Sequence, residues 1–251
     1  MRALLLATLL ATSLGLLAGP VPAPSATAVP SAAPTTTARA ETPRAETVRL
    51  DGVRVRLRRG TTQVVTVKHT RGHHARVRLW VLRERGWRLV ETAYDGRTGY
   101  GGLVRGNRRR QGTGTTPLGT YPLTSSFGTQ RRDARWDLPH RRIRPGDYWV
   151  QDNASRFYNR YRNKRQGGFR WWLPSGHADS SERLADYPRQ YEHALVLDYN
   201  PRQVRHRGSG IFLHVNGRGA TAGCISAPRP FLRLLLRRLD PDERPLVAVG
   251  R

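Results

Sequence analysis

The only cysteine of the 251-residue chain, Cys224, follows His214 by ten positions in the stretch HVNGRGATAGCISAP (214–228). A cysteine thiolate is a strong nucleophile, and a nearby histidine can take the proton that the thiol must lose. Gly223, next to the cysteine, would let a carbonyl group approach backbone amides that stabilise an oxyanion. These residue types predict covalent acyl transfer, with Cys224 as the nucleophile, His214 as the general base and Gly223 as a backbone oxyanion donor.

A lone thiol also has less reactive explanations. Free cysteine is among the most buried residue types and usually packs as a small, inert apolar group. In an exported protein, an odd cysteine can instead form a bridge to another chain. The lone cysteine by itself is therefore compatible with three explanations: a nucleophile, an inert thiol and a chance occurrence.

The elements on either side of the pair decide how close the two side chains come. The stretch GIFLHV (210–215) is apolar on both faces, which is typical of a central strand, and the histidine stands near its end. The stretch APRPFLRLLLRRLDP (227–241) has an apolar face at helical spacing and predicts a helix that begins at Ser226 or Ala227. We therefore expect Cys224 just before a helix N-terminus, whose dipole and free amides would favour the thiolate.

The rest of the domain has the pattern of short strands separated by turns. Apolar and polar residues alternate at period two in segments such as ARVRLWVLRER and WRLVETAY. Strands are predicted over 61–69, 75–85, 87–94, 147–152, 193–200, 210–215 and 245–250. A short second helix is predicted at SSERLADY (180–187). The pattern indicates a mainly β fold with one or two helices packed on it.

The first 47 residues differ in composition from the rest of the chain. A positive start, a short apolar run (3–17) and small residues up to Ala28 predict a signal peptide over residues 1–28. Residues 29–47 are rich in Pro, Ala and Thr and predict a disordered linker, whereas residues 48–251 can form one catalytic domain. The apolar run is shorter than the roughly 20 residues that a membrane span needs. We therefore expect a secreted, extracytoplasmic protein without a membrane span.

The chain is strongly basic, with 44 Lys and Arg against 18 Asp and Glu and a formal net charge of +26. The arginines are spread along the chain, which argues against a specific nucleic-acid site. Such charge would hold an exported protein on anionic cell-wall polymers by non-specific attraction. We expect a monomer associated with the cell wall. No cluster of residues has metal-ligand spacing, so no metal or other cofactor is expected.

The residues around the cysteine resemble the signature of a known family. The stretch from Thr221 to Ser226, TAGCIS, with IFLHV before it, resembles the L,D-transpeptidases of bacterial cell walls, in which a strand histidine precedes a Gly-Cys pair. The stretch TTPLGTYPL (115–123) is similar to a Thr-Pro-x-Gly segment of that family, and the likeness covers residues 61–249. Ala222 stands where the family has histidine, and Ser226 where it has arginine or asparagine.

The resemblance implies a β-sandwich or barrel of the L,D-transpeptidase type, with Cys224 as nucleophile and His214 as base. It also implies that the carbonyl of Val215 orients the imidazole, and that the amides of Gly223 and Cys224 bind the oxyanion. The implied donor is a tetrapeptide stem of peptidoglycan. Cys224 takes the acyl group of the third stem residue, D-Ala leaves, and a side-chain amine of another stem resolves the thioester into a 3→3 crosslink.

Three classes of function stay open at this point. We predict substrate contacts from Thr221, Ala222 and Asn216 of the loop and from Trp171 and Trp172, for which core packing is the alternative. Water in place of the amine would make the protein a hydrolase that trims stem peptides. The third class is a non-catalytic, basic wall-binding module, although a pure binder needs neither the thiol nor the imidazole.

His193 is the other histidine on a predicted strand that could neighbour the site. It shares a strand face with Leu195 and Leu197, and this apolar company favours a packed role. Only His214 is connected to Cys224 by a short loop, so His214 is the predicted base.

Overall fold

Strands dominate the computed structural model, which describes residues 46–251. The strands are β1 (Thr47–Leu50), β2 (Val53–Arg56), β3 (Gln63–His69), β4 (His74–Arg83), β5 (Gly86–Arg97), β6 (Leu103–Arg105), β7 (Thr116–Gly128), β8 (His140–Arg142), β9 (Asp147–Trp149), β10 (Tyr161–Asn163), β11 (Glu182–Arg183), β12 (Ala194–Leu197), β13 (Phe212–Val215), β14 (Ile225–Ala227) and β15 (Leu246–Gly250). The α-helix α1 spans Arg229–Arg238. Single 3-10 turns lie at Gly106–Arg108, Lys164–Gln166, Leu184–Asp186, Gln190–Glu192 and Pro241–Glu243.

The predicted start of the folded domain lies close to the first strand of the structure. The predicted signal peptide and residues 29–45 of the predicted linker lie outside the described residues. β1 begins at Thr47, one residue before the start of the predicted domain. No helix within residues 46–251 is long and apolar enough to span a membrane.

The main sheet closes on itself. Its strands follow the order β12–β13–β14–β5–β4–β3–β15–β7, and β7 also pairs with β12, so the eight strands form a ring. β6 and β8 each pair with β7 in parallel. Closure leaves these eight strands without a free edge, which is how barrel-like sheets avoid unpaired backbone groups. The prediction of a mainly β, sandwich- or barrel-like fold is confirmed.

Helix α1 packs its apolar face against one side of this sheet. The five residues of the predicted face are all buried in the main core: Phe231, Leu232, Leu235, Leu236 and Leu239. On β13 the residues alternate between faces, so Leu213 and Val215 join that core while Phe212 joins a second one. β13 is therefore buried on both faces, as its apolar run predicts.

The start of α1 differs from the prediction. The helix begins at Arg229, and the three residues before Pro228 form β14, which pairs in parallel with β13. Pro228 disfavours helical backbone in the residue before it, Ala227, and strand pairing buries Ile225 completely. Four residues thus separate Cys224 from the helix. The predicted placement of Cys224 at a helix N-terminus is wrong.

The predicted second helix at 180–187 is also wrong. Its chain forms the two-residue strand β11, which pairs with β9, and then a 3-10 turn. Leu184 is the buried apolar residue of this segment, and one such residue cannot hold an amphipathic helix of two turns. The segment instead closes a three-stranded sheet of order β10–β9–β11. This small sheet supplies Trp149 to the second core, where it packs edge-on to Phe212 at a ring distance of 4.9 Å.

Candidate active site

One cavity holds both residues of the predicted catalytic pair. It has a volume of about 600 Å³ and is lined by Cys224 and His214 together with residues of the 171–191 segment. His214 points to the face of β13 opposite α1, since β13 alternates its side chains and Leu213 faces the helix. Cys224 packs against the second core on that same face. The β13–loop–β14 connection therefore returns the cysteine to the face from which the histidine projects.

His214 is held in one orientation by its own strand. Its side chain is buried, and its Nδ1 lies 2.9 Å from the carbonyl oxygen of Val215. A carbonyl can only accept, so this contact assigns the ring proton to Nδ1 and leaves Nε2 as a proton acceptor. Tyr191 packs edge-on against the ring at 5.4 Å. Burial lowers the pKa of His214 to about 4, so the imidazole is neutral at pH 7.

The thiol of Cys224 is protonated and bonded to backbone. Its Sγ donates to the carbonyl of Gly210 and accepts from the amide of Phe212, both at 3.4 Å. Burial raises the pKa of Cys224 to about 12, and the carboxylate of Glu182 adds to the increase. The expectation of a stabilised thiolate is therefore wrong, because α1 begins only at Arg229 and burial of the sulfur opposes its charged form. Attack by this sulfur requires a base that removes the proton as the new bond forms.

Two threonine hydroxyls fix the backbone around the cysteine. Thr221 Oγ1 donates to the carbonyl of Cys224 at 2.6 Å, and Thr116 Oγ1 donates to the carbonyl of Gly223 at 2.9 Å. Thr116 belongs to the TTPLGTYPL segment, which the fold thus brings against the cysteine loop. Gly99 allows this close approach, because a Cβ there would overlap the carbonyl of Gly114.

The same contacts bear on the oxyanion site. The amide of Gly223 donates to Thr221 Oγ1 at 3.2 Å, so it is already engaged. Within residues 46–251, the amide of Cys224 has no hydrogen-bond acceptor. Of the two predicted oxyanion donors, the Cys224 N–H is therefore free within the described residues, and the Gly223 N–H becomes free only if it leaves Thr221. The φ of Gly223 is +123°, a backbone conformation that favours glycine at this position.

The predicted substrate-binding residues divide into two groups. Thr221, Ala222 and Trp171 line the cavity with the catalytic pair. Trp172 lies outside its lining and is 64% exposed. Asn216 is also outside the lining, because its side-chain amide donates to the carbonyl of Asp95 at 2.6 Å and its carbonyl oxygen accepts from a neighbouring serine. The structure therefore gives Asn216 a role in anchoring the loop.

A carboxyl group that the sequence did not single out also lines the cavity. Glu182 accepts a hydrogen bond from the hydroxyl of Tyr191, and burial raises its pKa to about 7. Its charge is one of the causes that raise the pKa of Cys224. The sequence pattern predicts Glu182 within a short helix at 180–187. Its real position depends on the pairing of β11 with β9, some 30 residues away along the chain, for which the local pattern carries no signal.

We expect Glu182→Gln to lower the pKa of Cys224, because the substitution removes a negative charge that opposes the thiolate. The rate of alkylation by iodoacetamide between pH 8 and 9 should then rise about three- to tenfold. Asp186→Asn is the matched control: Asp186 lines the same cavity but is exposed. An unchanged rate in Glu182→Gln, or an equal rise in Asp186→Asn, would contradict this electrostatic role.

Comparison of the chain with models of known protein families, with curated proteins and with solved structures finds no match in any of the three. The described residues contain no group of three or more His, Cys, Asp or Glu side chains that could hold a metal ion.

Proposed function

We propose that this protein is a cysteine-dependent acyltransferase that acts on peptidoglycan stem peptides and forms 3→3 crosslinks. The observation that carries the proposal is the cavity shared by a thiol and a neutral imidazole whose Nδ1 contacts the carbonyl of Val215. A base in this tautomer can accept the thiol proton at Nε2, and the Val215 carbonyl stabilises the imidazolium that results. The stem-peptide substrate and the L,D-transpeptidase type of fold come from the resemblance of the TAGCIS stretch.

Acylation follows from the resting state of the pair. Sγ of Cys224 leaves the Gly210 carbonyl and attacks the carbonyl carbon of the third stem residue, while Nε2 of His214 takes the thiol proton. The Cys224 amide donates to the oxyanion. The C–N bond to D-Ala then breaks, the proton passes from Nε2 to the leaving amine, and a thioester remains on Cys224. Because both groups are neutral at rest, the proton moves only when a donor occupies the cavity.

In deacylation His214 acts as a base a second time. An amine from a second stem attacks the thioester, His214 removes a proton from that amine, and the returned proton restores the thiol. This sequence forms one amide bond for each one broken, so it needs no ATP. Water in place of the amine gives a trimmed tripeptide, which is the hydrolase alternative.

The products of disaccharide-tetrapeptide incubated with the protein distinguish transfer from hydrolysis. Mass spectrometry should find dimers that have lost one D-Ala, and Cys224→Ala should yield none. Tripeptides without dimers would favour the hydrolase. Unchanged tetrapeptide in both samples would leave only the non-catalytic wall-binding module.

The net charge of +26 supports a further part of the proposal, that the secreted protein associates with anionic polymers of the cell wall. Screening shortens the reach of such attraction to below about 8 Å once the ionic strength exceeds physiological values. Pelleting with purified sacculi should therefore weaken steeply as salt is added. Pelleting that persists in high salt would show a specific pocket instead of attraction by scattered arginines.

A further inference from the structure

Arg109 is an arginine that is buried without a counter-charge among residues 46–251. Its side chain is 6% exposed, and its Nε donates to the carbonyl of Thr115 at 2.7 Å. Its Nη1 is buried without a hydrogen-bond partner, and Arg109 forms no ion pair with any residue of the described range 46–251. Burial of Nη1 without a partner is unfavourable, because this nitrogen loses water that no group within residues 46–251 replaces.

The guanidinium lies beside the cysteine loop. Arg109 lines the cavity of Cys224, and its Nη2 would be 2.9 Å from a Cβ placed on Gly223. Its other end abuts Gly208, where a Cβ would overlap Nη1. Two glycines thus provide the space in which the charged group sits. The ring of Tyr199 lies 5.5 Å from the guanidinium carbon and further restricts the side chain.

The guanidinium can meet an anion through one of its nitrogens. Nε donates to Thr115 and Nη1 is enclosed against Gly208, whereas Nη2 lies beside Gly223 of the cysteine loop. Nη2 can therefore donate a charge-assisted hydrogen bond to an oxygen of a carboxylate or of a phosphate. The lining also holds Arg183 and Arg218, which offset the negative charge of Glu182 and Asp186. The anion that the proposed acyl donor brings into this cavity is its terminal carboxylate.

We propose that Arg109 binds the terminal carboxylate of the acyl donor and so restricts cleavage to the bond before a free carboxy-terminal residue. This inference depends on the proposed function. In the step that it guides, the bond from Sγ of Cys224 to the carbonyl carbon forms and the C–N bond breaks. The thiol proton reaches the leaving amine through His214, and the residue that leaves carries the carboxylate held by Arg109.

The first test is independent of peptidoglycan. N-iodoacetylglycine and its amide carry the same electrophilic carbon and differ only in a carboxylate. The measured ratio is the rate at which N-iodoacetylglycine alkylates Cys224 divided by the rate for its amide. We expect this ratio to fall about 10- to 100-fold in Arg109→Gln, because a charge-assisted hydrogen bond to the carboxylate is lost. The ratio cancels any change in thiol pKa that the substitution causes. Arg218→Gln, which removes an exposed arginine from the same cavity, should change the ratio less than about twofold.

Arg109→Lys keeps the proposal testable if Arg109→Gln does not fold, as judged by circular dichroism and thermal unfolding. Lysine retains the charge but not the position of Nη2, so its ratio should lie between that of wild type and that of a site that does not recognise the carboxylate. A ratio in the folded variants equal to that of wild type would overturn the proposal.

The second test uses tetrapeptide with a free carboxy terminus and the same peptide as its amide. Acyl-enzyme formation by the amide should be about 10- to 100-fold slower in wild type, a difference that Arg109→Gln removes. Equal acylation of wild type by both peptides would refute the carboxylate site and leave the acyltransferase standing. An Arg109-dependent preference for N-iodoacetylglycine without acylation by either peptide would refute the acyltransferase and leave the carboxylate site standing.

Discussion

A carbapenem should add covalently to the wild-type protein and leave Cys224→Ala unmodified. The strained lactam carbonyl is an acyl donor, and Sγ opens the ring to give a thioester. The nitrogen that leaves the carbonyl stays attached to the rest of the molecule, so the whole carbapenem remains on the protein. Cys224 is the sole cysteine of the chain, so its removal leaves no thiol to react. We expect intact-protein mass spectrometry to show one addition in wild type and a loss of labelling of at least about 100-fold in the variant.

Ser226→Ala is the control for this labelling. Ser226 carries a hydroxyl two residues after the cysteine, and that hydroxyl donates to the side chain of Asn216 at 2.7 Å. Ser226→Ala should still form the adduct, because the hydroxyl that it removes is hydrogen-bonded to Asn216 and is not the predicted nucleophile. An adduct that persists in Cys224→Ala would refute the assigned nucleophile.

Loss of His214 should lower the rate of acylation by about 10²- to 10⁴-fold, the usual contribution of a general base. His193→Ala should cost stability instead. His193 is buried beside Trp136 at a ring distance of 5.6 Å, and its strand neighbour Leu195 lies in the core with α1. Successive strand residues face opposite sides, and Ala194 is in register with His214, so His193 points away from the cavity.

The two histidine variants are distinguished by thermal unfolding and by pH dependence. His214→Ala should melt close to wild type, whereas His193→Ala should melt several degrees lower because it leaves a void in the core. In wild type the base acts when neutral, so acylation should fail as the pH decreases through about 4, the pKa of His214. A full acylation rate in His214→Ala, with a large loss in His193→Ala, would contradict the assignment.

His214→Ala also tests how the pair is charged at rest. The imidazole is neutral at pH 7 and the thiol is bonded to the Gly210 carbonyl, so removal of the ring should leave the pKa of Cys224 nearly unchanged. A preformed thiolate and imidazolium would give the opposite result, a large increase of that pKa. Titration of the alkylation rate against pH measures the difference.

The parts of the fold that the sequence predicts are those fixed by local pattern. The apolar face of α1 and the alternation of β4 are each contained in about ten consecutive residues. The short stretch between His214 and Cys224 limits how far apart the two residues can lie, and both line one cavity. These features need no knowledge of how distant segments pack.

The remaining features depend on contacts between distant parts of the chain. Ile225–Ala227 forms a strand because β13 lies beside it, and the helical pattern that follows gives no sign of this. Glu182 enters the cavity through the pairing of β11 with β9. Arg109 is one of many arginines, and its distinction lies in burial among Gly208, Gly223 and Tyr199, which are about 100 residues away. Composition cannot separate a buried arginine from exposed ones.

The most direct test of the account is the intact mass of the protein during incubation with disaccharide-tetrapeptide. A thioester on Cys224 predicts a transient mass increase equal to the mass of the donor minus the mass of free D-Ala. Proteolysis should locate this increase to the peptide that contains Cys224. The increase should be absent from Cys224→Ala and should disappear when an acceptor amine is added. Crosslinks or trimmed stems that form while the protein mass stays unchanged, or that Cys224→Ala forms equally well, would contradict covalent catalysis by this cysteine.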